Sequence, residues 1–581
     1  MIGIEFNIVN IILSTFIFGM GDDFSIFILD GLLSKYKTGR ALLNSHKTAI
    51  FFSTFTIIVG VGVLIFAKHP ALHSIALITI LGMIAVVLVA YTAEPILFNL
   101  IASGPASKGR PPYTFSSLVR VVAVYGLFAV SCLLVTFSIL ILAILPIPKE
   151  RKQTATSVLS HLCCRMVLRS GFFIKRKIEL PEGESLRDSV ASSSVIIANH
   201  QSFYDILMVL AVYPKVRFMV ADWVHRSPIM GFPIRFMGYY SKSKGYETQT
   251  DQIRKDLENG WSVVIFPEGT RSADGRIGRF HKGAFYLASL LKVSIRPVVF
   301  YGNNMVVPKS QSFNPSDGVS VMRFLPEIKP ESVSLTYQAE TKRVEEEFRT
   351  QLESLEERFD VPSNPYFYWS LVKNYIYKGP VTEWYVRVKT RMENNYAFFD
   401  SVLPRKGRIT DLGCGMGQMC FMLAMYSHER ELYGVDYDKE KIEIAANGYL
   451  SRRLSNVSFR CEDVCSCDLS ESDAFVLSDM LHYLERDKQE ALIRRCAGRL
   501  KAGGMILIRD ADTEKAKGQK VTDFTEVLST KVFRFNKTAG ELRFLSAAQI
   551  SSLCLQHGLR IDETVGNDSL TSNTFYVLRK L

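Results

Sequence analysis

The chain reads as a multidomain protein, with N-terminal transmembrane α-helices followed by two α/β domains. Three observations predict this. Apolar stretches long enough to cross a bilayer crowd the first 147 residues. Short β-rich runs then alternate with helical stretches, and two runs end in polar strings, Asn199-His200-Gln201-Ser202-Phe203-Tyr204-Asp205 and Phe266-Pro267-Glu268-Gly269-Thr270-Arg271-Ser272. Further on, a third run enters a glycine loop, Asp411-Leu412-Gly413-Cys414-Gly415-Met416-Gly417.

At 581 residues the chain exceeds what one core supports, so two or three domains are expected. Hydrophobic residues make up 48% of it, concentrated in the apolar N-terminal quarter. The formal net charge is +12. The basic residues flank apolar segments and lie between the two polar strings, as topology signals and anionic-lipid contacts do. No nucleic-acid recognition module is visible, so nucleic acid is not an expected partner. The 10 cysteines are scattered, and Cys461, Cys465 and Cys467 lack paired spacing or partner histidines. They read as thiols in a reducing cytoplasm, with no metal site.

The apolar stretches are Ile2–Leu29, Ala49–Ala67, Leu72–Ile101 and Leu118–Ile147, each long enough for about 30 Å of hydrocarbon. No basic region precedes the first and no small-residue cleavage site follows it, so a signal peptide is not expected. Lys35, Lys37, Arg40 and Lys47 fall in the first loop, and Lys108 and Arg110 in the third, while the loop at Lys68 is almost uncharged. The positive-inside rule puts the basic loops in the cytoplasm. The segment after Lys149 is also basic, which a simple crossing by Leu118–Ile147 would send outside. That stretch is therefore expected to dip in and return, or to lie as a bent interfacial anchor.

Asp22 and Asp23 fall in the first stretch, within Gly19-Met20-Gly21-Asp22-Asp23-Phe24-Ser25-Ile26-Phe27. They either cap a break at the membrane surface or relay protons. This string, with the basic loop and spans that follow, resembles the last helices of proton-driven exporters of the resistance-nodulation-division superfamily, MMPL branch. The resemblance ends near residue 105 and implies the C-terminal end of a transporter (residues 1–112), whose remaining part would be a partner on another chain or absent.

The run Val195–Ala198 ends at His200, and Ser262–Phe266 ends at Pro267 and Glu268, so both strings sit past strand ends, where α/β proteins place ligands. His200 and Asp205 have the spacing by which a carboxylate one turn into a helix fixes the tautomer of an imidazole base. Arg271, with backbone N–H groups near Gly269, suits an anion. Together they describe acylation of a hydroxyl on an anionic acceptor. This region resembles the lysophosphatidic-acid acyltransferase family, with a membrane-anchored domain over 113–335. The resemblance makes His200 and Asp205 the catalytic pair and Glu268, Gly269, Thr270 and Arg271 acceptor-binding residues. It places Lys244, at the end of Gly238–Lys244, where the family has arginine, and Arg296 where the family is usually apolar. It implies a donor thioester of acyl carrier protein or coenzyme A. Arg217, His225, Arg226 and Arg235 either receive the acidic carrier protein or are solvated surface. Residues 336–365 read as a charged helical linker.

Over 366–581 the glycine loop has G-x-G-x-G spacing, with Gln418 where a dinucleotide site wants a third glycine. A second strand ends in Asp436, placed for ribose hydroxyls, and further strands lead to Asp463 and Asp479. The series resembles class I S-adenosylmethionine-dependent methyltransferases, with a Rossmann-like fold. That resemblance implies S-adenosyl-L-methionine as cofactor, held by Asp411, Gly413, Gly415 and Gly417 on the methionine side, Asp436 at the ribose and Asp463 at the adenine. Asp479 and His482 lie where the methyl acceptor meets the cofactor. His482 is either a base for O-methylation or structural. The aromatic run from Tyr366 to Tyr377 is a substrate lid or a packing helix.

The combined expectation is a bacterial inner-membrane enzyme with both catalytic domains facing the cytoplasm. It acylates a lysophospholipid-like or other anionic lipid and methylates a lipid or lipid-linked metabolite, with membrane lipids and acyl carrier protein as partners. Two alternatives stand beside it: a subunit of a split lipid exporter with accessory catalytic domains, and phosphatidic-acid synthesis joined to an unrelated methylation.

Overall fold

The computed structural model describes residues 8–227, 230–245, 247–309, 314–332, 336–392, 395–511, 543–566 and 573–580. They form two compact units, one of Met1–Tyr113 with Ser370–Leu581 and one of Thr114–Trp369.

The first unit begins with three apolar helices, α1 (Ile8–Thr38), α2 (Leu43–Gly62) and α3 (Pro70–Leu88). α3 continues through π-helical turns at Val89–Ala93 and Asn99–Ser103 to Ser107. Phe24, Ile28, Ile50, Met83 and Ala90 form their shared core. The outward residues are apolar, among them Phe18, Phe52, Phe55 and Leu88, as lipid requires. α1 runs past the expected end at Leu29, so Lys35 and Lys37 belong to its last turn and the connecting loop shrinks to Gly39–Leu42. Asp22 and Asp23 are exposed on the outer face of α1 rather than brought into a relay. Polar contacts between these helices include a hydrogen bond from Ser25 to Glu94 and one from the Tyr91 hydroxyl to the Lys47 carbonyl.

The other part of this unit is a seven-stranded sheet in the order β10-β9-β8-β11-β12-β14-β13. The strands are β8 (Gly407–Leu412), β9 (Arg430–Asp436), β10 (Val457–Cys461), β11 (Ser472–Ser478), β12 (Leu500–Ala511), β13 (Leu559–Gly566) and β14 (Asn573–Lys580). β14 is antiparallel to both neighbours and the remaining pairs are parallel. The strand order reverses between β8 and β11, which opens a crevice at their carboxyl ends.

The second unit opens with α4 (Phe115–Ile144) and α5 (Lys149–Ser170), a helical hairpin. α4 is one continuous helix, so it does not dip in and return. Gly126 does not break it, and Ser131 Oγ bonds back to the Leu127 carbonyl at 2.8 Å. One stripe of α4 packs on this unit: Arg120 pairs with Asp317 at 2.7 Å, Val124 and Phe128 reach the core, and Val135 and Ile139 pack with Cys163 of α5. The opposite stripe, with Phe115, Val122, Leu133, Phe137 and Ile144, is exposed and apolar. By length and composition, four helices among the described residues are able to cross a membrane, α4 among them.

The second sheet has the order β1-β7-β6-β2-β5-β3-β4, from β1 (Ile174–Glu179), β2 (Val195–Ala198), β3 (Val216–Val220), β4 (Tyr240–Ser241), β5 (Ser262–Ile265), β6 (Ile295–Tyr301) and β7 (Gly318–Phe324). Only the β6–β7 pair is antiparallel. The central β2 lies between β5 and β6, with all four residues buried. The helix expected as a linker, Tyr337–Phe359, is part of this core: Val344, Phe348, Leu352, Leu355 and Phe359 bury one stripe against β2, β5 and β6. Arg296 is buried in β6 between Glu184 and Glu327, at 3.0 and 3.4 Å, which accounts for a cation at an apolar position.

Candidate active sites

His200 leaves the end of β2, and α6 (Phe203–Val212) begins just beyond it. Ser202 and Asp205 form a capping box at the start of α6, the side chain of each accepting backbone N–H groups. Asp205 is fully buried. Its Oδ2 accepts the N–H groups of Gln201 and Ser202 at 2.7 and 2.8 Å and lies 2.8 Å from His200 Nδ1. Its Oδ1 accepts from Asn303 Nδ2 at 2.7 Å. These donors fix the carboxylate in place and point it at Nδ1, which leaves Nε2 facing outward as the atom able to take a proton. The ring of Phe266 stacks on the imidazole, with centroids 3.9 Å apart.

The second string wraps the first. Ser272 N–H donates to the His200 carbonyl at 2.7 Å. Glu268 accepts the His200 N–H on Oε1 at 2.8 Å and the Gly278 N–H on Oε2 at 2.9 Å. Burial pushes its carboxyl above the ordinary range. Both oxygens thus serve backbone groups, so Glu268 braces the main chain of the base, and its remaining lone pairs stay open to an acceptor. Gly269 sits at φ +72°. A Cβ there would come within 2.7 Å of Lys242 Nζ and 3.5 Å of His281, so this backbone faces a cationic recess. Thr270 is exposed beside it and Arg271 half-buried, with Lys309 donating to the Arg271 carbonyl at 2.8 Å. Lys242 and Lys244 are both exposed in the Lys242–Lys244 turn, and Lys242 Nζ reaches the Gly269 carbonyl at 3.4 Å, which makes it the lysine of the pair that touches the second motif. Arg217 is not a carrier-docking residue: it is buried and paired with Asp256 at 2.7 Å.

In the methyltransferase-like sheet, Gly413, Gly415 and Gly417 have φ of +80°, +56° and +79°. A Cβ on Gly413 would meet Met480 at 2.8 Å and one on Gly417 the Phe459 ring at 2.4 Å, so both glycines are required for packing. Nothing lies within 4 Å of the corresponding point on Gly415, which leaves room for a ligand against the backbone. Asp436, at the end of β9, accepts the Gly415 and Asp438 N–H groups at 2.8 Å each, one per oxygen. A carboxylate retains further lone pairs, so it is able to accept ribose hydroxyls as well. Asp411 is buried and accepts the Cys420 thiol at 3.2 Å; burial, with the Asp436 charge, raises its carboxyl to about 6. Asp463 is exposed, and its Oδ1 holds the Cys465 N–H at 2.9 Å. These residues line one crevice and fit a nucleoside-bearing cofactor.

Beside it, His482 Nδ1 lies 2.6 Å from Asp510 Oδ1, and both residues are buried. Asp479, at φ +53°, pairs with Arg509 at 2.9 Å. Sequence reasoning named His482 and missed Asp510, which stands 28 residues further on at the end of the next strand. Among the described residues there is no cluster able to hold a metal ion.

The sheet that carries His200 is similar to those of acyltransferases, and the sheet that carries Gly415 and Asp436 to those of methyltransferases. Residues 177–301 match the Acyltransferase family and residues 409–504 the Methyltransferase domain family. The chloroplastic 1-acyl-sn-glycerol-3-phosphate acyltransferase LPAT1 of Arabidopsis thaliana is 35% identical over 136 residues, covering 23% of this chain and 38% of that protein. The 1-acyl-sn-glycerol-3-phosphate acyltransferase of Saccharomyces cerevisiae is 35% identical over 150 residues, covering 24% and 48%. The chain thus spans less than half the length of these relatives. Among solved structures, the acyltransferase PlsC of Thermotoga maritima is 21% identical, covers 41% of this chain and 96% of its own, and has a TM-score of 0.36. The magnesium protoporphyrin IX methyltransferase of Synechocystis PCC 6803 is 16% identical, covers 35% and 89%, and has a TM-score of 0.27.

Proposed function

We propose that the chain is a membrane-anchored enzyme that moves an acyl group from a thioester of acyl carrier protein or coenzyme A to a hydroxyl of a lysophosphatidate-like lipid. Its second domain methylates a lipid or lipid-linked product with S-adenosyl-L-methionine. The observation that carries the reading is the His200–Asp205 pair, 2.8 Å apart, with Lys242 and His281 against the nearby Gly269. In this reading Nε2 of His200 removes the proton from the acceptor hydroxyl as it attacks the thioester carbonyl. Asp205 stabilises the imidazolium that forms, the recess holds the acceptor phosphate, and the proton passes to the leaving thiolate.

The cofactor supplies an electrophilic methyl group from its sulfonium. The crevice of Asp411, Gly415, Asp436 and Asp463 holds it. His482, oriented by Asp510, takes the proton of an acceptor hydroxyl, which makes O-methylation the favoured chemistry.

α4, packed along one stripe and apolar on the other, is proposed to lie in the interface rather than cross it. That keeps the acyltransferase on the same side as the Lys108–Tyr113 loop, and the positive-inside rule makes this side the cytoplasm. The membrane would then be the inner membrane of a bacterium. The apolar helices serve as anchor; no contact of Asp22 or Asp23 supports pumping.

The test supplies membranes holding the full chain with labelled S-adenosylmethionine, acyl thioesters and lysophosphatidate in total lipid extract. His200→Ala should abolish acylation and Asp436→Ala methylation. A His200→Ala chain that acylates at the wild-type rate would refute the assignment.

A further inference from the structure

The contacts between the membrane helices and the methyltransferase, all inside the first unit, form a built interface. Two helices of that domain take part, α9 (Lys439–Ala446) and α10 (Tyr449–Arg453). Lys37, in the last turn of α1, pairs with Glu440 at 2.6 Å, and Arg40 in the following loop pairs with Glu443 at 3.0 Å. Between them Gly39, at φ +82°, lies so close that a Cβ would come within 3.3 Å of the Asn447 side chain. The turn after α3 meets the same surface: a Cβ on Gly109, at φ +66°, would come within 3.2 Å of the Arg453 backbone. Tyr377 donates to the Tyr113 carbonyl at 2.8 Å. Beneath these contacts Lys378 is completely buried, with Nζ 2.9 Å from the Ile444 carbonyl and 5.5 Å from the Tyr36 ring. Burial lowers its ammonium to about 7, and Lys37 and Arg452 push it the same way.

Solvent-exposed ion pairs contribute at most about 1 kcal/mol each and would not by themselves fix a loosely tethered domain. Here they ring a dry lysine and two close backbone approaches, and both partners belong to one chain, which raises their effective concentration. The two basic loops that dock are the pair the charge rule assigns to one membrane face. α9 starts directly after Asp438, whose N–H holds Asp436.

We propose that α1–α3 are a docking platform that holds the methyltransferase on the bilayer surface, where it methylates an acceptor resident in the membrane rather than one dissolved in the cytoplasm. The acceptor class rests on the methyltransferase reading above; the platform does not.

Two measurements on full-length protein in native membranes test this. A carbodiimide joins a touching amine and carboxylate without a spacer, and mass spectrometry identifies the linked peptides. The Lys37–Glu440 linkage should appear alongside Lys501–Asp473, a 2.7 Å pair within the methyltransferase that serves as control. The control linkage without the first would overturn the platform. In the second measurement, Lys37→Glu with Arg40→Glu, and separately Glu440→Lys with Glu443→Lys, should each cut label entering the organic extract from S-adenosylmethionine about tenfold. Combining all four substitutions should restore it, with cofactor affinity steady throughout. Label that survives either reversal, or that the fourfold variant fails to recover, would overturn the membrane-acceptor claim. If wild-type membranes yield no lipid label, the methylation reading falls, and the linkage alone decides the platform.

Discussion

The carboxylate of Glu268 accepts the backbone N–H of His200 at 2.8 Å, so the second motif holds the first by its main chain. Its other oxygen carries the Gly278 N–H, so Glu268 clamps the base while its neighbours Gly269 to Arg271 stay free to face the acceptor. Replacing Glu268 with Gln turns an NH2 group toward one of two N–H donors and leaves it unpaired, at about 1–3 kcal/mol. The expected result is a fall in kcat for acyl transfer with little change in acceptor KM. Steady-state kinetics at varied lysophosphatidate checks it, and a rise in KM alone would return Glu268 to the acceptor site.

His200→Ala should reduce acyl transfer by about 10³-fold, the upper-middle range for a general base. Asp205→Asn should cost nearly as much and also loosen the start of α6, by about 1 kcal/mol for a lost cap. Single-turnover acylation paired with thermal unfolding separates the two effects.

Lys242→Ala should raise the acceptor KM about tenfold through the loss of one charge-assisted contact to phosphate. Lys244→Ala should leave it within about twofold, since side chains exposed away from a site change little. A neutral monoacylglycerol, used as a comparison acceptor, should be indifferent to both.

Asp411 gives a pH signature. Its folded carboxyl titrates at about 6, above the ordinary carboxylate. The native methyltransferase therefore takes up a proton at higher pH than the unfolded chain does. As pH falls from about 6 to about 4, this group adds up to about 1.4 kcal/mol of stability per unit; above that window its ionised form is a full cost. Asp411→Asn should accordingly stabilise the cofactor-free protein at pH about 7.5 and lose that advantage near pH 4, where wild type is already neutral. Thermal unfolding of the full chain at the two pH values measures the difference. Equal gaps at both would show that folding does not raise the Asp411 carboxyl.

What could be read from the chain alone was what depends on neighbours in sequence. His200 and Asp205 share one turn, the glycines around Cys414 share one loop, and strand ends announce themselves by apolar runs. What could not be read depends on partners far along the chain. Glu268 and His200 are 68 residues apart, and nothing local reveals that their contact is to backbone. The choice between Lys242 and Lys244 turned on a 3-10 turn before Gly245, which aims the earlier lysine at Gly269. Residues 337–359 looked solvated because glutamates dominate the composition; the stripe from Val344 to Phe359 shows only when read at helical spacing. Arg217 looked like surface charge until Asp256 arrived from another helix to bury it.

Asp205 both starts a helix and aims a histidine. Ordering that single turn and arming the catalyst are consequently one event. Fraying of the first turn of α6 would silence acyl transfer while the sheet beneath stayed intact. The working ceiling of this enzyme, whether in heat or in detergent, is then set by the local opening of a few residues rather than by the melting of the domain that carries them.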